Sequence, residues 1–463
     1  MRQRQADSAL ALPPTRARRP GPAARSARPR LLQAMFDAFR LPDLRRRILF
    51  TVGMLVAFRF VAHVPLPGVD TAALQQLFEQ MPILGMLDLF SGGAMRQFSV
   101  AAMGVYPYIT ASIIMMLLTP VIPRLQALSQ EGEAGRNRIN QITHWLTVPL
   151  AGLQGYTQIV ILQRADPPVL ASTMPMAIVT MVLAMIAGTM FLVWLGELIT
   201  ENGIGNGVSI IIFGGIVARF LELIGQGSLA VQAGQGFGVA GYFAITVVTI
   251  VAIVIFTEAH RRIPVQYARS VFRGGRMYRQ AGQTHIPLRV NTAGMIPLIF
   301  AMSIVMFPGM IASYFAAPAG AEPNFANTIQ NLFNPDAALP MGLFYWGLFF
   351  VLTMAFAFFY TFVIFQQQDL PGVLQRQGGF IPGIRPGKHT NEYLSQVIKR
   401  ITWAGALFLG VVGIVPFIAR EVTNVQVIQL SSMGLIIVVG VVMDTMKQIE
   451  AQLVMRRYEG FIK

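Results

Sequence analysis

The stretch GFIPGIRPGKHT, residues 379–390, brings a Gly-Lys pair together with Arg385 and His389, the raw material of a phosphate-binding loop. Such a loop needs Gly, four residues, Gly-Lys and then Ser or Thr, because backbone amides cradle the phosphates while the hydroxyl holds magnesium. Here Pro382 stands where the first glycine belongs and His389 where the hydroxyl belongs, so nucleotide binding is rejected. What remains is mechanical. Pro382 and Pro386 stiffen the loop, Gly379, Gly383 and Gly387 permit sharp turns, and together they predict Arg385 at a fixed tip. An ordinary connector is the plainer alternative.

Other chemistry is excluded in the same way. Gly203, Gly205 and Gly207 in TENGIGNGVSIIIF do not follow a strand, so they make no dinucleotide fingerprint and read as a turn opening a helix. The absence of cysteine removes disulfides, thiolate metal sites and a cysteine nucleophile. His63, His144, His260, His285 and His389 all fall at or beyond the ends of apolar runs, which leaves no dyad or metal-ligand cluster for a membrane-embedded enzyme. No catalytic residue, metal or cofactor is assigned. Charges inside the runs are few: Arg59 lies near an end and can snorkel, while Arg219 and Glu222, three apart, can pair on one helix face. Nothing resembles a proton relay, which counts against a coupled transporter.

Seven arginines crowd RRIPVQYARSVFRGGRMYRQAGQTHIPLRVN, residues 261–291. The alternation of arginine and apolar residues around Gly-Gly predicts a protruding hairpin-like finger. Acidic lipid, RNA phosphates or an acidic protein face could meet it; the interleaved Tyr267, Phe272 and Tyr278 favour a protein or ribosome partner over lipid alone.

These segments must be positioned by a membrane framework. Of 463 residues 54% are hydrophobic and only 12% charged, against about 25% charged in soluble domains. Crossing a hydrocarbon layer of about 30 Å takes about 20 apolar residues as helix, since lipid offers the backbone no partners. Ten such spans are predicted, at 48–64, 100–120, 143–163, 174–196, 207–224, 238–257, 291–315, 342–365, 401–418 and 430–446. Segments after even-numbered spans hold fifteen Lys and Arg, the opposite ones three, Arg96, Arg164 and Arg420, which puts both termini in the cytoplasm. In LFSGGAMRQFSVAAMGVYPYITASIIMM, Ser-Gly-Gly breaks the chain and Pro107 is expected to bend it, giving a short re-entrant segment before a true span. The first 30 residues, with eight arginines, lack an apolar core and are expected to be disordered; a mitochondrial-type transit peptide would look somewhat similar.

Several long stretches, in order, resemble the SecY family, the central subunits of the bacterial protein-conducting channel: EGEAGRNRINQ at 131, ITENGIGNGVSIIIFGGIV at 199, RRIPVQYAR at 261, IPLRVNTAGMIPLIFA at 286, GGFIPGIRPGKHT at 378 and RRYEGF at 456. The resemblance runs from about Met35 to Lys463. It implies an all-α membrane protein, ten transmembrane helices in two pseudo-symmetric five-helix halves around a central pore. The halves would be residues 35–225 and 238–463, hinged at 226–237, with cytoplasmic loops at 258–290 and 366–400. Matching motif to motif puts a constriction ring on Val105, Ile109, Val208, Ile212, Ile299 and Ile437. Each doubled pair is four apart, hence on one helix face, and all six side chains are β-branched, stiff and unable to hydrate an ion. Core packing alone would give the same pattern.

The resemblance further implies a plug over about 83–96, including Leu89, Phe90, Ser91, Gly92 and Gly93, and a lateral gate including Thr110, Gln154 and Asn291. Polar contacts between membrane helices average about 0.6 kcal/mol, so such a gate gains only about 1–2 kcal/mol from them. A signal core of about ten leucine-like residues gains about 3–6 kcal/mol on entering lipid, enough to bias its own gate open. Arg385 and Arg276 resemble docking points for the ribosome or the translocation ATPase SecA, although Gly275 stands where the family often pairs a second arginine. SecE and usually SecG are implied as partner subunits, with membrane lipids around them and secretory and membrane proteins as substrates. The implied setting is the bacterial inner membrane. Met35 is expected to be the true start, with residues 1–34 a basic leader. A secondary transporter with five-plus-five repeats is the alternative reading.

Overall fold

The computed structural model describes residues 41–80, 88, 91–163, 169–170, 174–273, 276–317, 322–335, 337, 341–423 and 432–459; the expected leader, Met35 included, lies outside them. Each predicted span falls on a helix. These are α1 (Pro42–Ala62), α3 (Tyr106–Leu118), α5 (Glu133–Gln163), α6 (Pro175–Asn202), α7 (Gly207–Ala230), α8 (Gly236–Glu258), α9 (Ile296–Phe315), α11 (Met341–Gln368), α13 (Lys388–Thr423) and α14 (Ser432–Glu459). Short helices α2 (Thr71–Gln80), α4 (Pro123–Gln130), α10 (Phe325–Leu332) and α12 (Leu370–Arg376) lie in the connections. By length and composition α6, α8, α11 and α13 are apolar enough to cross a membrane unaided, whereas the apolar stretches of α7 and α9 are shorter. Helices α1, α5 and α14 each carry a charged end, PDLRRR, EAGRNR and MRRYE, that runs on beyond the apolar part.

The outer surface is inverted relative to a water-soluble protein. Phe60, Leu153, Leu183, Phe243 and Val351 are exposed, an arrangement that only a hydrocarbon solvent makes favourable. Within the first half α3 packs on α5, α5 on α6, and α6 on α7, while α1 lies against α6 and α7. In the second, α9 packs on α11, α11 on α13, and α13 on α8 and α14. Along one side the halves are joined by α7 against α14 and α8. Between α7 and α8 the expected loop is reduced to a kink at Val231–Gln235, where Gly234 has φ 88°. The preceding helix runs on to Ala230 because apolar residues extend its pattern past the expected boundary.

Pro107 does not bend a helix. It sits in the first turn of α3, where a missing N–H breaks no intrahelical bond. The chain before it, residues 100–105, is a run of turns. Prolines do lie inside α5, α9 and α13, at Pro149, Pro308 and Pro416.

Outside the helical body, β1 (His260–Arg273) and β2 (Arg276–Arg289) form the predicted finger, an antiparallel hairpin whose register pairs Arg273 with Arg276. The other arginine-bearing loop joins it. Gly379 and Phe380 form β3, which pairs with Tyr267 and Gln266 of β1, and Ile263, Val265, Leu374, Ile381, Leu394 and Val397 build a separate small core beneath. Gly379 is therefore not the turn residue that the sequence suggested. Left-handed φ values belong to Gly378, Gly383 and Gly387, whereas Gly379 lets the strand approach Tyr267: a Cβ there would stand 2.8 Å from the ring. G379A should weaken this docking by about 1–3 kcal/mol through overpacking. The expected readout is faster tryptic cleavage at Arg376 and Lys388 with unchanged membrane integration; cleavage at the wild-type rate would contradict it.

Candidate pore and gate

The six expected ring residues all belong to one continuous apolar core shared by both halves. Val105 and Ile437 are fully buried, Ile212 and Ile299 nearly so, and Ile109 and Val208 are half-buried at its margin. None is exposed. Each lies within the first two turns of its helix: Val105 caps α3, Ile109 follows one turn on with its N–H donating to the Val105 carbonyl (3.1 Å), and the others open α7, α9 and α14. Local chemistry fixes these starts. Asn206 caps α7 by accepting from the Ser209 N–H at 3.1 Å, and the Gly203–Gly205 turn precedes it as expected. Val208 packs over Gly196 of α6, whose missing side chain makes the room.

Below this core lie two adjoining cavities of about 290 and 330 Å³ that share Asn206, Ser209, Arg289, Met295 and Asp444. Ser209 and Ile436 in their walls are sequence neighbours of Val208 and Ile437, so the space abuts the apolar core directly. Lys447 Nζ, beside it, pairs with Glu258 at 2.7 Å. Charged side chains, Arg289, Asp444 and Lys447, thus stand in an otherwise largely apolar cavity wall beside the core.

Of the expected plug, Leu89 and Phe90 lie outside the described residues. Ser91, Gly92 and Gly93 are docked against α1 and α7. Arg59 does not snorkel away; its Nη1 donates to the Gly92 carbonyl at 2.6 Å, a partner 33 positions distant that sequence spacing gives no means of finding. Fully buried Asp88 pairs with Arg96 at 3.2 Å, and Ser91 Oγ donates to the Asp88 carbonyl and accepts from the Met95 N–H. Gly92 has φ 67°, and a Cβ there would come within 2.7 Å of Gly215 Cα and 2.9 Å of the Phe58 ring.

The expected gate residues do not bond to one another. Thr110 Oγ1 donates to the Tyr106 carbonyl at 3.0 Å, Asn291 Nδ2 donates to the Gly294 carbonyl at 3.3 Å, and Gln154 Oε1 is buried without a hydrogen-bond partner among the described residues. The contact across the halves is made by others. Ile113 and Met116 of α3 pack into a small separate cluster with Ala293, Ile296, Phe300 and Tyr360, and the Tyr106 hydroxyl hydrogen-bonds with Ser303 of α9. Sequence reasoning overlooked both because an apolar residue and a phenol at helical spacing look like any packed face.

Arg385 is exposed, as expected of a tip, and its carbonyl accepts from Thr390 Oγ1 at 2.9 Å. Arg276 begins β2, although its side chain is outside the described residues, as are those of Arg219 and Glu222.

These features define a class: a multi-pass helical membrane protein in which two packed halves share an apolar core beside a cavity that carries Arg289, Asp444 and Lys447. The SecY family model matches residues 99–446. The protein translocase subunit SecY of Streptomyces scabiei is 43% identical over 455 residues, which is 94% of this chain and 100% of that protein. Its counterpart in Thermotoga maritima is 40% identical over 93% and 98% of the two chains. A solved protein-conducting channel shares the fold with TM-score 0.63 at 14% identity, over 91% of this chain and 97% of its own, and Sec61 from a canine ribosome–channel complex does so with TM-score 0.60. The chain belongs to the SecY family and is a protein translocation channel subunit; the transporter alternative is not favoured.

The packing at Gly92 yields a measurable expectation. G92A adds both a clash and a left-handed alanine, about 1–2 kcal/mol for the backbone alone, so the 91–97 segment should leave its seat about tenfold more often. Higher resting ion conductance in planar bilayers is the expected signature, and wild-type conductance would show that this segment does not help seal the channel.

Proposed function

We propose that this channel sits in the bacterial cytoplasmic membrane with both termini in the cytoplasm, passes unfolded signal-bearing chains through a ring of Val105, Ile109, Val208, Ile212, Ile299 and Ile437, and releases membrane segments sideways between α3/α5 and α9/α11. SecE and SecG are its partner subunits, and SecA or the ribosome supplies the drive. The observation that carries this reading is the convergence of branched apolar side chains from four helix starts into one core beside a cavity whose wall carries Asn206, Ser209, Arg289 and Asp444. Such a seal offers no oxygen to replace an ion's hydration shell, yet nothing in it is bonded, so a polypeptide can part it. The segment 83–96 acts as the plug, its described residues Asp88 and Gly92 held by Arg96 and Arg59. A related structure is described as a SecY whose plug domain stabilises the closed state and maintains the membrane seal, and it shares this fold at TM-score 0.63.

The finger and the 378–390 loop, fused through β3, form the docking face, with Arg385 its presented charge and Arg276 a second contact. A canine relative solved in a ribosome–channel complex supports the ribosome as one occupant. The excess of Lys and Arg in these loops supports a cytoplasmic position for this face.

The decisive experiment reconstitutes the chain with SecE and SecA in vesicles and follows protease protection of a signal-bearing precursor on addition of ATP. Protection is expected; none, with folded channel present, would overturn the reading. R385E should abolish ATP-driven protection while leaving membrane integration intact, and normal transport would remove Arg385 from docking. In the ring, I437N should raise resting ion conductance, because an amide at a fully buried apolar position brings water with it; an unchanged conductance would take Ile437 out of the seal.

A further inference from the structure

The aromatic residues on the lipid-facing surface are sorted by type between its two ends. Three of the four tryptophans are exposed, Trp145 at 78%, Trp194 at 52% and Trp403 at 56%. Each stands where an apolar stretch meets charge, at the end to which the basic loops belong: Trp145 seven residues after Arg138 in α5, Trp194 three before Glu197 in α6, and Trp403 three after Arg400 in α13. Their levels agree. His144 pairs with Glu197 at 3.1 Å, so Trp145 and Trp194, one and three residues outward of that pair, lie within about one helical turn of the same depth. Gly405, two residues beyond Trp403, abuts the Val290 carbonyl at the base of the finger. The outer end is different. Among the described residues its exposed aromatics are phenylalanines: Phe60 near the end of α1, Phe237 at the start of α8, Phe315 at the end of α9, Phe325 in α10 and Phe344 at the start of α11. Tyr156 of α5 is exposed about 16 Å outward of Trp145, inside a hydrocarbon layer of about 30 Å rather than at its edge.

We propose that Trp145, Trp194 and Trp403 form a one-sided belt docked in the glycerol-ester and headgroup zone of the cytoplasmic leaflet, which fixes the depth of the channel from the inside, while the phenylalanine rim leaves the outer boundary free to slide. The proposal rests on the orientation given above and adds the surface that holds the chain at its level. The indole N–H is the reason. An indole has a large apolar body and one donor, so it is most stable where hydrocarbon ends and ester or phosphate oxygens begin. None of the three has a hydrogen-bond acceptor among the described residues, whereas Trp346, the fourth, donates to the Pro335 carbonyl at 3.1 Å within the protein. Drawn into hydrocarbon, each exposed indole would lose its lipid or water acceptor. Phenylalanine carries no polar atom and loses nothing by the same movement. Ring contacts steady two of the anchors: Phe191 lies 5.8 Å from Trp194, and Phe358 meets Trp403 edge-on at 5.2 Å. A change in bilayer thickness is therefore taken up at the outer rim, and the finger with its neighbouring loop keeps one height above the inner surface.

The test uses the full chain with its partner subunits in vesicles of short-chain and of long-chain phosphatidylcholine. Lipids brominated near the glycerol end or near the methyl end quench indole fluorescence. The signal of each tryptophan is read as wild type minus W145F, W194F or W403F, so that tryptophans in the partners cancel. Each of the three should be quenched more by the glycerol-end bromines, in both bilayers. Because the chain has no cysteine, a polarity-sensitive dye can be placed singly. On F315C, at the outer rim, its emission should shift to the blue as the bilayer thickens; on Q141C, near the inner edge, it should stay unchanged. Combining Q141C with all three Trp→Phe changes should let the inner dye shift as well, and if that variant fails to integrate, the quenching ratios still decide. Stronger quenching by methyl-end bromines, no quenching by either lipid because protein covers the indole, or an inner dye that moves as far as the outer one with the tryptophans present would each overturn the belt. If an impermeant thiol reagent reaches Q377C from outside intact cells, the orientation fails and the assigned leaflet with it; if Q377C is shielded and the indoles prove deep, only the belt fails.

Discussion

A helix in hydrocarbon must satisfy its own backbone, and that constraint leaves side chains as the only material from which a closable opening can be made. The seal that results here is apolar. Val105, Ile212, Ile299 and Ile437 are buried against one another's neighbours within a single core, and dispersion between such groups is weak per contact but dense in number. It yields to anything that brings equal contacts of its own. Polar bonds, by contrast, hold parts that must return to one place: Arg59 on the Gly92 carbonyl, Asp88 on Arg96, Tyr106 on Ser303.

The division of labour between the two sides of the molecule follows. Where α7 lies along α14 and α8 the halves share long helix contacts. Where α3 meets α9 and α11 they share a handful of apolar side chains and two phenols, Tyr106 and Tyr360. The two halves are thus fastened unequally on their two sides. A polar link on the stronger side reinforces this: the Gly205 N–H, just before α7, donates to Gln448 Oε1 of α14 at 2.9 Å.

Much of this was legible in the residues. Ten apolar runs became ten helices because period and length are local properties, the arginine alternation around Gly-Gly became a hairpin, and GIGNG became a capped turn. Pro107 was misplaced because the same residue serves as a helix starter or a helix breaker, and only the neighbouring turns decide which. The partners of Arg59 and Tyr106 were illegible for a different reason. Separations of 33 and 197 positions are set by how helices stack, and a single chain carries no periodic trace of that. Thr110, Gln154 and Asn291 illustrate the converse, polar residues that the family resemblance singled out: Thr110 and Asn291 bond within their own segments, and Gln154 Oε1 has no hydrogen-bond partner among the described residues.

The edge strand β3 has a mechanical meaning. Because it welds the arginine-tipped loop to β1, and β2 leads through six residues into α9, the two exposed loops behave as one crank whose shaft is the helix bearing Ile299 and Ser303. A load on the exposed loops therefore passes along covalent bonds and a hydrogen-bonded ladder to the helix that carries Ile299.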